Sequence, residues 1–274
     1  MFLVTGATGN VGAEVVSALA KAGEPVRALV RRPDAALPDG AEAALGDLND
    51  PGSLGDALKG VDGVFLLAGY HDMPGMLARA REAGVRRIVL LSGGSAALAK
   101  MDNAVSAYMT LAERAVRESG LEWTFLRPRA FMSNALRWLP QLREGDTVRA
   151  QFPEVPVACI DPADIAAVAV RALAGGHEGR IHELTGPVAL RPADQVAVLA
   201  EVLGRDLEFV GLSDEETRAE LEASMPREYV EAFWDFYVGG TLDEATVYPT
   251  VAEVTGRQPG TFAGWAAAHA DAFR

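Results

Sequence analysis

The stretch Val4-Thr5-Gly6-Ala7-Thr8-Gly9-Asn10-Val11-Gly12 constrains this chain more than any other. An apolar run ends at Thr5, three glycines follow at spacing three and three, and an amphipathic pattern begins at Val11. In a strand–turn–helix unit each glycine has a physical task. Gly6 permits the tight turn, Gly9 lets backbone approach a pyrophosphate, and Gly12 allows the helix to pack closely on the strand. The amides at the helix N-terminus then face the phosphates. This predicts a dinucleotide held by Gly6, Thr8, Gly9, Asn10, Val11 and Gly12. No Gly-Lys-Ser/Thr follows, which excludes the phosphate loop of nucleoside triphosphatases.

The rest of the first half repeats the same rhythm. Apolar runs at Phe2–Thr5, Val26–Val30, Ala43–Leu45, Gly63–Ala68, Arg87–Leu91 and Trp123–Leu126 are continuous, as strands buried on both faces must be. Helical patterns lie between them, at Val11–Ala22, Ser53–Lys59, Pro74–Ala83 and Ala104–Ser119. The alternation predicts an α/β fold with a doubly wound, Rossmann-type parallel sheet and ligands at the carboxyl ends of its strands. After Arg127 the prolines 128, 140, 153 and 156 break the rhythm. Asp161-Pro162-Ala163-Asp164 then reads as a capped helix start, with structural carboxylates. Arg180–Leu184, Pro192–Leu203 and Leu207–Val210 read as strand, helix and strand, and the part from Ser213 as mostly helical. Residues 1–150, with a contribution from 155–185, are expected to bind the cofactor, and 186–274 to form a smaller, mostly helical substrate lobe.

Charge narrows the cofactor and the partners. In NAD-binding chains an acidic residue about 20 positions on holds the ribose hydroxyls. Here the second strand ends in Val30-Arg31-Arg32-Pro33. Two guanidiniums stand where a 2′-phosphate would sit, which predicts NADP(H) in preference to NAD(H). The net charge of −13 makes the chain a poor nucleic-acid binder. The longest uncharged runs, such as Ile88–Ala99, fall far short of a membrane span. Met1 leads at once into Phe2-Leu3-Val4-Thr5, so no signal peptide and a cytoplasmic location are expected. The single cysteine, Cys159, reads as a small buried hydrophobe, and His177 and His182 lack a convergent third ligand, so no metal site is expected.

With these residues in place the chain resembles the NmrA-like atypical short-chain dehydrogenase/reductases, including NAD(P)H:quinone oxidoreductases of that type. The resemblance spans nearly the whole length. It rests on the glycine loop, Val30-Arg31-Arg32-Pro33, Gly46-Asp47-Leu48-Asn49-Asp50 and Ala83-Gly84-Val85-Arg86-Arg87-Ile88-Val89. Ser119-Gly120-Leu121-Glu122-Trp123-Thr124-Phe125-Leu126-Arg127-Pro128 and Thr255-Gly256-Arg257-Gln258-Pro259 complete it. It implies that Asp47 and Leu48 border the adenine, that Leu67, Ala68 and Gly69 line the cofactor, and that Ser92 ends a strand near the nicotinamide.

One departure bears on mechanism. Most members of the wider superfamily place Tyr-x-x-x-Lys on the helix after the fifth strand, the lysine lowering the tyrosine pKa for proton delivery. Here those positions fall on Val105 and Met109, and the chain has only three lysines, Lys21, Lys59 and Lys100. Tyr108, Ser92 and His71 remain as candidate proton donors, or the substrate needs little help, as an electron-poor quinone would. The substrate side is apolar. Tyr70, Phe131, Met132, Asn134 and Trp138 are expected to contact substrate, with Phe233 and Trp234 from an aromatic helix at 227–238. An aromatic or polycyclic substrate fits this lining better than a sugar or a charged metabolite. The expected activity is NAD(P)H-dependent reduction of a hydrophobic carbonyl, quinone or enone by a monomer or homodimer. A dinucleotide-sensing regulator and a non-redox tailoring enzyme, such as a dehydratase or isomerase, are the rival classes.

Overall fold

A computed structural model describes residues 1–273. Its first unit alternates strand and helix: β1 (Phe2–Val4), α1 (Asn10–Lys21), β2 (Val26–Val30), β3 (Ala41–Leu45), α2 (Gly55–Leu58), β4 (Gly63–Leu67), α3 (Met73–Glu82), β5 (Arg87–Leu91), α4 (Ala104–Glu118) and β6 (Glu122–Pro128). A 3₁₀ segment, Met132–Trp138, leads into α5 (Leu139–Glu144), β7 (Thr147–Ala150), α6 (Pro162–Ala174) and β8 (Arg180–Leu184). The remainder comprises α7 (Pro192–Leu203), β9 (Glu208–Gly211), α8 (Asp214–Ser224), α9 (Arg227–Tyr237), α10 (Thr250–Thr255) and α11 (Phe262–Ala268).

Seven strands form one parallel sheet in the order β3-β2-β1-β4-β5-β6-β8. The order reverses between β1 and β4, and that switch point opens a crevice at the strands' carboxyl ends. Alternate residues of each strand enter different cores. Phe2 and Val4, Phe65 and Val89 pack with α1, α6 and α10 through Val15, Leu19, Ile165, Val168 and Val251. Leu3, Val64, Leu66, Ile88 and Leu90 face the opposite layer, against Leu58, Met76, Leu77 and Val116. Both faces of the central strands are therefore dry, which is why those strands read as unbroken apolar runs. The edge strand β3 is largely exposed, and the expected burial of Ala43–Leu45 does not hold.

The helix expected over 53–59 is shorter than its pattern. Pro51–Leu54 forms a 3₁₀ turn held by the Asp50 carboxylate, which accepts from the Gly52 amide at 3.1 Å, and only α2 follows. At the start of α6, Asp161 caps Ala163 at 2.9 Å. Buried Asp164 accepts from the Gly260 amide at 2.7 Å and pairs with Arg257, so it ties the Gly256-to-Gly260 loop onto the sheet unit.

A third core builds the smaller lobe from Trp138, Leu142, Val148, Leu199, Phe262 and Trp265. Strands β7 and β9 pair in parallel there, Thr147 opposite Glu208. A division at residue 150 leaves β7 with the larger unit, although its partner strand belongs to the smaller one. Among the described residues no helix is long and apolar enough to cross a membrane.

Candidate active site

The glycine loop closes one end of a cleft of about 900 Å³ lined by Gly6, Thr8, Arg31, Arg32, Asp47 and Leu67, with Leu48 and Tyr70 beside them. Gly6 sits at φ +61°, and a Cβ there would run into Leu67. A Cβ on Gly12 would run into the Gly6 carbonyl, so α1 lies against the turn as only glycine allows. Gly9, the residue before α1, offers no side chain to the first-turn amides, and no acidic residue occupies that turn. These amides and the positive end of the helix are what a pyrophosphate needs, and the residues present fit a nicotinamide dinucleotide. Thr5 secures the loop from beneath: its hydroxyl accepts from the Leu67 amide at 3.0 Å, joining the ends of β1 and β4. Arg31 and Arg32 are both exposed on the cleft wall, and Arg32 makes only a loose 3.9 Å pair with Asp34.

Next along the carboxyl edge, beyond β5, lies a recess of about 220 Å³. Ser92, Val105 and Met109 open onto it, so the two positions matched in the sequence to the tyrosine–lysine pair present apolar side chains to one recess. Ser92 does not present a free hydroxyl. It donates to the buried carboxylate of Glu113 at 2.8 Å, and Arg127 grips that carboxylate with two bonds of 2.8 Å each. Arg127 and Arg129 share Glu183 at 3.4 and 3.0 Å, which extends the network under the recess floor.

A second cavity of about 440 Å³ continues from the recess, sharing Ala130, Phe131, Asn134, Phe233 and Tyr237 with it. Asn10 of α1 donates to Ser133 in its wall at 3.3 Å, joining the cofactor helix to the substrate lobe. Phe131, Asn134 and Phe233 therefore stand together, as expected for a substrate site. Met132 and Trp138 do not join them: each is 2% exposed and packs in the small-lobe core. The 3₁₀ winding of this segment sends them inward while Asn134 and Arg137 face out. Trp234 lies off the cavity wall, edge-on to Phe152 and under the Arg218 guanidinium. Tyr70 belongs to the cofactor cleft, where burial pushes its phenol up to about 12.

Two of the expected proton donors lie elsewhere. Tyr108 donates to the Ala68 carbonyl at 2.8 Å and covers Gly69, with His71 beside it in a groove between α3 and α4. Burial raises its pKa, and no cation offsets that. Gly69 accordingly borders this groove, and neither Ala68 nor Gly69 is among the residues lining the main cleft. His71 is exposed, with its backbone amide 3.3 Å from the Asn49 side chain. The histidine pair forms its own contact, His177 Nδ1 to His182 Nε2 at 3.0 Å. Among the described residues no cluster of His, Cys, Asp and Glu could hold a metal ion.

The structure adds groups that the sequence alone did not single out. Glu244 is 7% exposed at the recess, and its Oε2 accepts from the Ala130 amide at 3.2 Å. Burial raises its pKa despite Arg129 nearby. Tyr237 and Arg137 line the cavity, and burial lifts the Tyr237 phenol above the ordinary range. Cys159 also faces this cavity, and burial pushes its thiol up to about 12, although the bond it accepts from Gln195 acts the other way.

Comparison with known proteins agrees with this geometry. Residues 6–175 match the NAD(P)H-binding family model. The chain is 45% identical to a (4-alkanoyl-5-oxo-2,5-dihydrofuran-3-yl)methyl phosphate reductase of Streptomyces griseus, across 100% of this chain and 99% of the relative. It is 38% identical to an NAD(P)H azoreductase of Xenophilus azovorans, again over 100% and 99%. Among solved structures it superposes on an NADPH-dependent quinone oxidoreductase of Escherichia coli with a TM-score of 0.79 at 26% identity, covering 99% of this chain and 100% of that one. The chain belongs to the NAD(P)H-binding family and, within it, to the NmrA-like atypical short-chain dehydrogenase/reductases, as an NAD(P)H-dependent oxidoreductase.

Proposed function

We propose that the protein uses NADPH to reduce conjugated, electron-poor ring substrates such as quinones, enones and unsaturated oxo-furans. The observation that carries this is the recess. Where hydride would be delivered, Val105 and Met109 replace the acid–base pair, and Ser92 is bound to Glu113. An isolated ketone needs a strong proton donor as charge develops on its oxygen. A conjugated acceptor spreads that charge and needs less help. The named relatives support the choice, since one reduces an alkanoyl oxo-dihydrofuran and another is an azoreductase.

When bound, the reduced nicotinamide supplies the hydride; the chain's own groups do the rest. Arg31 and Arg32 hold the 2′-phosphate, which underlies the preference for NADPH. The sheet unit binds cofactor and the smaller lobe recognises substrate, with Phe131 and Phe233 against the ring. Asn134, open to both recess and cavity, orients a ring oxygen. Glu244, its pKa raised by burial and its carboxyl held by the Ala130 amide, does not drive hydride transfer but returns a proton to the enolate that the conjugated acceptor leaves.

Loss of NADPH absorbance with a panel of quinones, enones and butenolides tests the assignment. Turnover is expected with these and not with simple ketones, and NADPH binding without consumption by any of them would overturn it. Glu244→Gln should lower kcat several-fold, less than the loss of an essential general acid would. It should also remove the fall in kcat as pH rises, because only the protonated carboxyl donates.

A further inference from the structure

We infer that the 440 Å³ cavity contains an anion subsite, and that the natural substrate carries a phosphate or carboxylate which Arg137 binds. Arg137 stands in contrast to the arginines that this molecule buries. Arg87 is paired with Glu122 and Glu178, Arg127 with Glu113 and Glu183, and Arg129 with Glu183. Arg137 is exposed on the cavity wall, where it is the one charged side chain among the lining residues. It makes no ion pair or hydrogen bond among the described residues; its neighbour is the Trp138 ring, 6.0 Å away.

An unpaired guanidinium on the wall of an otherwise uncharged cavity can meet an anionic ligand without first giving up an ion pair. Among the described residues no acidic side chain lines this cavity; its other polar groups are Ser133, Asn134, Gln151, Gln195, Cys159 and Tyr237. Glu244 faces the adjoining recess, already engaged by the Ala130 amide. A planar guanidinium flanked by amides suits the oxygens of a phosphate or carboxylate. The shared walls set the pose, with the ring by Phe131 and Phe233 in the recess and the anionic arm extending past Asn134 to Arg137. An uncharged substrate would leave Arg137 unmatched.

The pose of the ring rests on the reductase assignment, but the anion subsite can be read by binding alone. NADP⁺-saturated protein, which blocks the cofactor's own phosphate sites, is titrated by calorimetry with 2-naphthyl phosphate, 2-naphthoate and the neutral methyl 2-naphthoate. At least tenfold tighter binding of one or both anions over the ester is expected, and the stronger of the two identifies the group. Arg137→Gln should abolish that preference while leaving ester and NADP⁺ affinity unchanged, and Arg137→Lys should retain part of it. Equal affinities in the wild-type protein, a preference that survives Arg137→Gln, or no binding of any probe would overturn the inference. Anion preference in a protein that consumes no NADPH would instead overturn the reductase assignment and leave the subsite standing.

Discussion

Arg31 and Arg32 are exposed at the end of β2, and neither is held by a close carboxylate. Their value therefore lies in what enters the cleft. The Arg31→Ala/Arg32→Ala variant should weaken NADPH binding about tenfold or more, since charge-assisted bonds contribute roughly 1.5–3 kcal/mol each. NADH binding, measured by the same fluorescence titration, should be unchanged; equal loss of both would contradict the phosphate role. The pair was legible in the sequence because its position follows from a local rule, the distance from the glycine loop. Arg137 and Glu244 were not. Glu244 meets the site through the Ala130 amide, 114 positions away along the chain, and no local spacing encodes that contact. Met132 and Trp138 misled for a related reason: the 3₁₀ winding of 132–138 turns them into the core while Asn134 lines the cavity.

At the level of elements, β1, α1 and β2 were readable because glycines, apolar runs and a helical period all agreed on them. The β7–β9 pairing was hidden, since its two short strands lie far apart in sequence and prolines interrupt the approach to them. Helix α9 is tied to the sheet unit by polar contacts. Its Asp235 accepts from Lys100 at 2.6 Å, Asn103 at 2.9 Å and Thr241 at 3.1 Å, and the Lys100 bond keeps the carboxyl below its usual range. Phe233 and Tyr237 enter the cavity from the same helix. Asp235→Ala should raise KM for substrate several-fold, consistent with losing bonds of about 1 kcal/mol each. The Kd for NADPH should change less than KM, because α9 does not line the cleft that holds Arg31 and Arg32.

Across the whole molecule, proton binding couples to stability through the histidine pair. His182 is 8% exposed, and burial, with His177 and Arg180 adding to it, lowers its pKa to about 4. The unfolded chain then binds the proton more readily than the folded one. The contribution is complete above the unfolded value near 6.5 and is lost as pH falls toward 4. It amounts to about 3 kcal/mol at most. Urea midpoints at pH 7 and pH 5 should show the decline, and His182→Gln should flatten it; an unchanged slope would remove the histidine from the account.

The arginine pair on the cleft wall also has a kinetic consequence. The molecule as a whole carries −13, so from afar it repels a polyphosphate. At 0.01 M salt the screening length is about 30 Å and distant carboxylates are felt; near 0.15 M it is about 8 Å, leaving mainly the adjacent guanidiniums. Stopped-flow association rates for NADPH should rise over that range and fall only at higher salt, when the near charges are hidden too. Ordinary ionic strength thus lets a strongly acidic protein present a basic doorway.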